Sequence, residues 1–495
     1  MVEIKLKVKN IDMEASSPIV ILNKKDAEEL GLNPLDRIEI DTSDNHLVGV
    51  VDITDKMVEE GEIGVSGGIE EIEGLVDVTL ASRPKSVEHI RSKLDDKELS
   101  EKDFYEIVED IYYNRLSDVE LGGYVSGTYT NGLSLEETVY LTKAMTDIGD
   151  IITWNDEIIA DKHSIGGVAG NRVTPITVPI VAAAGIKIPK TSSRAITSPA
   201  GTADTMEVFC DVDFSIEKIK EIVNEKNGCL VWGGSVKLSP VDDQIIRAEN
   251  PLSVDPKGQV IASVLSKKKS AGSNRVLIDI PYGESSKVEN IAEARDIAER
   301  FKKVGSELDI KIKCTITRGH EPIGKGIGPV LEAIDILKVL KNNGPSDLKV
   351  KSAKLAEIIL DMCNSKKNAI DILESGKALE KFREIIEAQN GSPKIEAKDL
   401  QPGKHKTKIR SCRSGIVTHI NNNLISKIAR HAGAPKDKGA GIKLKKKVND
   451  KVNENEELFT IFAENNTKLK NAERITDGCE AVRVRGEKES LVEQI

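Results

Sequence analysis

The sequence predicts a multidomain α/β protein, built from a small β-rich, barrel-like N-terminal domain, a helical domain, a central α/β sheet domain and a small C-terminal α+β domain. Three observations predict it. Apolar residues alternate before Arg83-Pro84, recur at helical spacing from there to Asp150, and then form aliphatic runs separated by Gly-rich loops and helical stretches. At about 150 residues per domain, 495 residues leave room for several such parts.

In EIKLKV, PIVIL, RIEI and HLVGVVDIT the apolar positions alternate, with Asn33-Pro34 and Ser66-Gly67-Gly68 as turns between runs, the period-2 pattern of half-buried strands. Residues 1–84 are expected as the β-rich domain. From Ser86 the spacing of Val87, Ile90, Leu94 and Leu99, then of Ile107, Ile111 and Leu116, is helical. Ser100 with Asp103 and Ser134 with Glu137 read as N-caps with acidic first turns. Residues 85–150, joined by part of 240–270, are the expected helical domain. Over 151–400 strands at 276–280 and 310–315 alternate with helical stretches at 286–304, 329–341, 353–363 and 377–389, which argues for an α/β sheet domain. GIVTHI, GIKLKKKV and ELFTIFAE then return to short β runs, so residues 401–495 are expected as the α+β domain.

Composition narrows the function. The chain carries 71 Lys+Arg against 81 Asp+Glu, a net charge of −10, which excludes a uniformly basic protein that coats nucleic acid. Its longest mostly apolar stretch, 176–189, is broken by Pro179, Gly185 and Lys187 and falls short of the roughly 20 residues a membrane span needs. The N-terminus lacks the apolar core of a secretory signal, and the six cysteines form no CxxC pair. A cytoplasmic protein with reduced thiols and no membrane partner is expected. One segment departs from the acidic average: 404–447 holds thirteen Lys/Arg and a single acid, Asp437. It contains no Phe, Tyr or Trp for base stacking, so no nucleic-acid partner is expected, and its charge is assigned to packing or assembly.

Two loops carry chemistry. In the run from Asp161 to Arg172 (DKHSIGGVAGNR) glycines let backbone N–H groups approach an anion, Lys162 adds a full charge and Ser164 a hydroxyl. The guest implied is a phosphate or phosphate ester; the run lacks GxxxxGK[ST], so it is not a Walker A loop. The stretch 192–207 (SSRAITSPAGTADTME) packs five hydroxyls and Arg194 into eleven residues, enough to hold phosphate or sugar oxygens. A third region, 244–267, contains Asp255-Pro256 and Ser263. By residue type alone Asp255-Pro256 fits a helix N-cap followed by Pro as well as it fits a catalytic acid. No histidine set has metal-ligand spacing, His163 included.

Taken in order, DKHSxGGV, SSRAIxxxAGTxDxME and SGKALEKF with Gln389-Asn390-Gly391 resemble the motifs of the thymidine and pyrimidine-nucleoside phosphorylase family, from about residue 86 to the end of the chain. Where pyrimidine phosphorylases have Gly-His-Thr-Gly-Gly-Thr, this sequence has Thr197-Ser198-Pro199-Ala200-Gly201-Thr202, and it adds residues around Gly170-Asn171-Arg172 and an N-terminal β domain. Those three features resemble the archaeal AMP phosphorylases of the same family. The resemblance implies conversion of a nucleoside 5′-monophosphate and inorganic phosphate into free base and ribose 1,5-bisphosphate, without metal or organic cofactor, in a homo-oligomer. It implies phosphate binding by Lys162, Ser164, Ser192 and Thr202, and AMP binding by Gly167, Ser193, Arg194, Ala195, Ile196, Thr197, Ser198, Thr202, Ser263 and Lys287. Asp255 is the implied proton donor to the leaving adenine, in need of burial or a nearby anion to act as an acid at neutral pH. Arg172 is expected as a ligand of the second dianion, the 5′-phosphate, and closure between the helical and α/β parts is expected on substrate binding. A pyrimidine-nucleoside phosphorylase is the alternative reading. Lys162-His163 and Gly170-Asn171-Arg172 also resemble the KHGNR loop of anthranilate phosphoribosyltransferases, but the acidic metal motif for a diphosphate is missing from the C-terminal half.

Overall fold

The computed structural model describes residues 3–13, 19–41, 46–66, 72–195, 198–234, 236, 238–476 and 481–486. The chain parts into two compact units, Met1–Gly149 with Ser239–Ser263, and Asp150–Leu238 with Val264–Ile495.

In the first unit six strands close into a barrel: Glu3–Asn10, Glu62–Ser66, Ile19–Asn23, His46–Thr54, Arg37–Asp41 and Leu75–Leu80, in that order around it. Closure leaves no unpaired strand edge, and the alternation seen in the sequence turns Leu6, Val20, Leu22, Ile38, Ile40 and Val78 inward. Glu62–Ser66 and Leu75–Leu80 complete the barrel although neither run stands out among the four that mark it in the sequence; of the expected Ser66-Gly67-Gly68 turn, the glycines lie outside the described residues.

The helices Ser86–Leu94, Glu101–Tyr112, Asp118–Asn131 and Leu135–Asp147 follow. Capping boxes start three of them, at Ser100 with Asp103, Ser117 with Glu120 and Ser134 with Glu137, so each satisfies two otherwise orphaned backbone donors reciprocally. Phe104, Ile107, Tyr124 and Leu141 share one core with Val241, Ile245 and Ala262, because the helix Val241–Leu252 and the first half of Lys257–Ser270 belong to this unit. Leu94 ends its helix half-exposed, and Leu99 and Leu116 lie beyond their helices, so the helical spacing overran the helix ends.

In the second unit Lys311–Arg318, Arg275–Tyr282 and Ala160–Ser164 form a parallel sheet in that order. Ile188–Ser192 and Gly228–Trp232 form a parallel pair, and a parallel bridge between Ile159 and Lys187 connects it to the first three. The helix Thr174–Ala183 is buried on all sides from Thr174 to Ala182, which is why its sequence shows an unbroken apolar run instead of a stripe. Helix Ile291–Ser306 starts later than its apolar pattern suggests, capped by Asn290. Residues 283–288 turn instead, with Ser286 Oγ donating to Gly283 O at 2.7 Å and Val288 O at 2.8 Å.

The C-terminal part holds an antiparallel sheet of Gly326–Ile327, Gly441–Leu444, Glu457–Ala463 and His405–Arg410, and a second of Lys451–Val452, Gly415–Ile420 and Val482–Arg485. Gly326–Ile327 comes from the segment between sheet and helix of the α/β part, just ahead of Pro329 at the start of the helix Pro329–Leu340. The last sheet is therefore stitched into the α/β part rather than tethered after it. Among the described residues no helix is long and apolar enough to cross a membrane.

Candidate functional site

The parallel strands of the second unit end together at Ser164, Ser192, Trp232, Tyr282 and Arg318, and open α/β sheets take their ligands at such carboxyl ends. The first loop leaves Ser164 through Gly166 (φ 91°) and Gly167 (φ 83°), a region costly to any side chain. A Cβ on Gly167 would stand 2.3 Å from the backbone N of Lys287. That contact brings together two of the residues expected to bind AMP, with the Lys287 side chain exposed.

Lys162 is 1% exposed. Burial lowers its pKa to about 8, against the pull of Asp279 and helped by Lys351 and Arg172. Asp279 lies in register with Ser164 on the neighbouring strand, accepts from Ser164 Oγ at 3.0 Å and from Thr317 Oγ1 at 2.6 Å, and forms an ion pair with Lys351 Nζ at 3.0 Å. Burial alone would raise the carboxyl of Asp279, but the Lys351 and Lys162 cations hold it below its ordinary range. Asn171 donates to Ser164 Oγ at 3.1 Å, while its buried Oδ1 has no hydrogen-bond partner.

Next to Lys162, Asp161 is fully buried and takes Lys268 Nζ at 2.7 Å, with Lys190 Nζ at 3.8 Å. Burial and four surrounding lysines, 268, 190, 162 and 267, push the His163 imidazole well below its usual pKa. Both effects favour the neutral ring, which offers an anion no positive charge.

The second loop is held from beneath. Asp204 Oδ2 accepts from Ala195 N and Gly201 N at 2.7 Å each, joining the two ends of the loop; Ile196 and Thr197 lie outside the described residues. Ser192 Oγ donates to Val231 O at 3.0 Å and Ser198 Oγ to Ala200 O at 3.0 Å, and Ser193 is exposed. Arg194 pairs with Glu207 at 2.6 Å. Arg172, expected as a 5′-phosphate ligand, has its guanidinium engaged by the protein at all three nitrogens: Nε to Glu332 at 2.6 Å, Nη1 to Thr202 Oγ1 at 3.2 Å and Nη2 to Ala200 O at 2.8 Å. These bonds tie Arg172 to Thr202 and Ala200 in the second loop and pair it with the 1% exposed Glu332.

Asp255 and Ser263 belong to the first unit. Asp255 lies between the helices Val241–Leu252 and Lys257–Ser270 and is exposed, so of the two settings expected for it, burial or a nearby anion, the first is not seen; Ser263 is half-buried on the second helix. The bond from Val260 N to Pro256 O at 2.9 Å puts the helix start at this Asp-Pro step, as the N-cap reading of the pair expects to within a residue.

Sequence reasoning missed Asp279, Asp161, Glu332 and Lys351. A single acid inside the apolar run Val276-Leu277-Ile278-Asp279-Ile280 is a signal for a buried, partnered carboxylate. Glu332 and Lys351 sit on helices far along the chain, where nothing local marks them.

Comparison with known proteins extends this geometry. The helical bundle domain of the glycosyl transferase family matches residues 87–149 and its a/b domain 156–299, and the pyrimidine nucleoside phosphorylase C-terminal domain matches 416–479. The chain is 53% identical over 497 residues to an AMP phosphorylase of Natronomonas pharaonis, covering 99% of both. It is 44% identical to the AMP phosphorylase of Thermococcus kodakarensis and 41% to that of Methanococcus vannielii, covering 97% of this chain and 98% of each relative. Among solved structures, the anthranilate phosphoribosyltransferase of Thermus thermophilus aligns with a TM-score of 0.52 at 16% identity, over 61% of this chain and 99% of that one, a likeness of fold. With identity this high along almost every residue, and with the bundle, sheet and C-terminal parts each matched, the chain belongs to the AMP phosphorylase family.

Proposed function

We propose that the protein catalyses phosphorolysis of nucleoside 5′-monophosphates, converting AMP and inorganic phosphate into adenine and ribose 1,5-bisphosphate in nucleotide degradation or salvage. The observation that carries this reading is the full-length similarity to relatives named AMP phosphorylase. A buried lysine beside a glycine loop at the strand ends supports it, since such a cradle suits a phosphate.

In this reading phosphate, held by Lys162, Ser164, Ser192 and Thr202, displaces the base directly at C1′. AMP is held by Gly167, by Ser193 to Ser198, by Thr202, Ser263 and Lys287, and Asp255 gives its proton to the ring nitrogen of the leaving adenine, so that the base departs neutral. Both phosphates are met by donors fixed before the substrates arrive, so positioning and electrostatic stabilisation do the catalysis. Phosphate is a co-substrate, and the reading needs no metal or organic cofactor. A cytoplasmic homo-oligomer is part of the proposal.

The test is purified protein with phosphate and each of AMP, CMP, UMP, adenosine and thymidine, reading free base and sugar phosphate. AMP should be consumed fastest, and Asp255→Asn should lower turnover by about a hundredfold, within the range of a lost general acid. Thymidine turning over faster than AMP would favour the pyrimidine-nucleoside reading instead.

A further inference from the structure

Among the described residues, Lys438 ties the basic segment 404–447 to the second loop. Lys438 Nζ lies 2.5 Å from Glu207 Oε2 and 3.8 Å from Asp204 Oδ1. Glu207 uses its other oxygen to take Arg194 Nη2 at 2.6 Å, and Asp204 uses its other oxygen to close the loop through Ala195 N and Gly201 N. The Arg194 guanidinium sits 4.2 Å over the ring of Trp232. Trp232 ends its strand in register with Ser192, so the stacked arginine stands at the ligand end of the sheet.

We propose that Lys438 is a positioning residue for the nucleotide. By sharing the Glu207 carboxylate with Arg194, it holds the arginine over Trp232 and preserves its charge for an incoming anion. This rests on the reading of the second loop as the AMP loop. The argument is one of charge. Lys438 and Arg194 balance the carboxylates of Glu207 and Asp204, and without Lys438 the single Arg194 cation would face both acids. Without Lys438, Glu207 belongs to Arg194 alone, the local field at the loop drops by one charge, and Asp204 loses the cation beside it. The cation–π contact at 4.2 Å supplies the second restraint while Nη2 is paired with Glu207. Part of the basic segment thus acts on substrate binding without a contact to substrate, which gives its charge a role that packing alone does not.

Two tryptophans, Trp154 and Trp232, make the test direct. In a Trp154→Phe background Trp232 is the sole tryptophan and, excited at wavelengths where tyrosine does not absorb, reports the seating of Arg194 with no substrate present. Lys438→Ala, Lys438→Arg and, as a control from the same segment, the exposed Lys436→Ala are compared in the full chain. Lys438→Ala should raise KM for AMP about threefold to fivefold, the ceiling for a pair this exposed, leave KM for phosphate within about twofold on the same scale, and shift Trp232 emission. Lys438→Arg should restore both, and Lys436→Ala should change neither. Equal rises in the two KM values, an unmoved Trp232 emission, or the same effect from Lys436→Ala would overturn the proposal. A chain that consumes no AMP refutes the proposed function, and the emission of Trp232 in Lys438→Ala then decides the coupling on its own.

Discussion

Replacing Lys162 with Met should abolish phosphate use and at the same time make the protein more stable at neutral pH. The side chain is 1% exposed, and burial sets its pKa at about 8 against an ordinary 10.5. Keeping that charge at pH 7 costs about 3 kcal/mol relative to the unfolded chain, at roughly 1.4 kcal/mol per pH unit. Met keeps most of the volume and the unbranched stem while losing the charge. Asp279 is not orphaned, since Lys351, Thr317 and Ser164 still reach it, so a net gain of about 1–3 kcal/mol is expected once imperfect packing of the methionine is allowed for. The direction with pH follows from the two pKa values. Between about 8 and 10.5 the unfolded chain binds the proton that the folded chain has released, so the stability of the natural protein rises with pH through that window. The advantage of the variant is complete below pH 8, shrinks across the window and vanishes above it. Thermal unfolding at pH 7 and pH 10, with and without phosphate, measures this. Phosphate should raise the Tm of the natural protein and leave the variant unmoved. A variant that melts below the natural protein at pH 7, or that keeps its whole advantage at pH 10, would refute the assignment of a strained buried cation.

The same lysine predicts that KM for phosphate in the natural protein rises toward tenfold per pH unit, on the order of 1.4 kcal/mol, once pH exceeds about 8; a flat profile to pH 9.5 would remove Lys162 from the phosphate site. Arg172→Lys keeps the charge but loses the fork to Glu332, Thr202 and Ala200, so it should cost about 2–3 kcal/mol of stability in denaturant unfolding and behave as a non-conservative change. Gly167→Ala meets the Lys287 backbone at 2.3 Å at a φ of 83°, and should lower kcat/KM at least about tenfold from strain of roughly 1–2 kcal/mol, with the circular dichroism spectrum unchanged. Asp161→Asn leaves the buried Lys268 and Lys190 without their carboxylate and should destabilise by about 3–5 kcal/mol; because lysines shed their charge as pH rises, the loss should be smaller at pH 10 than at pH 7.

What could be read from the sequence was whatever repeats or caps locally. Alternation in RIEI and HLVGVVDIT located two barrel strands, and Ser100 and Ser134 located helix starts, because those signals act over two to four residues. The two anion loops were legible as motifs, and the structure puts Ser164 and Ser192 at the ends of strands in one unit. The second layer was not legible. Lys351 meets Asp279 across 72 residues, and Glu332 meets Arg172 across 160, and no periodicity encodes a pairing that only the tertiary fold creates. Arg172 illustrates this: the sequence shows a cation in a polar loop, and only the fold supplies its partners Glu332, Thr202 and Ala200. The helix expected from Ser286 failed for a local reason, since Ser285 has a positive φ and the Ser286 hydroxyl is spent on the turn.

The net charge of −10 hides two opposite uses of lysine. In the basic C-terminal segment, lysines face carboxylates contributed by the rest of the second unit: Lys447 meets Asp347 at 2.9 Å, Lys408 meets Glu457 at 3.0 Å, Lys446 meets Glu456 at 2.5 Å and Lys438 meets Glu207. Charge that looks concentrated along the chain is thus dispersed into pairs in space, which argues for cohesion and against a free basic surface. Beneath the first loop the balance is reversed. Lys162, Lys190, Lys268 and Lys351 crowd around the carboxylates of Asp161 and Asp279; burial lowers the pKa of Lys162, Lys190 and Lys351, helped at Lys162 and Lys190 by neighbouring cations. Four lysines gathered on two carboxylates make this the cation-rich end of the sheet, the setting a phosphate would complete. An acidic protein that attracts no anion at long range can still bind one, provided the positive charge is local, buried and held in place before the ligand arrives, since a desolvated charge is screened least and acts most strongly at contact. The cost of assembling that cluster is borne by the fold, and it is the reason Lys162→Met should stabilise the chain while ending its use of phosphate.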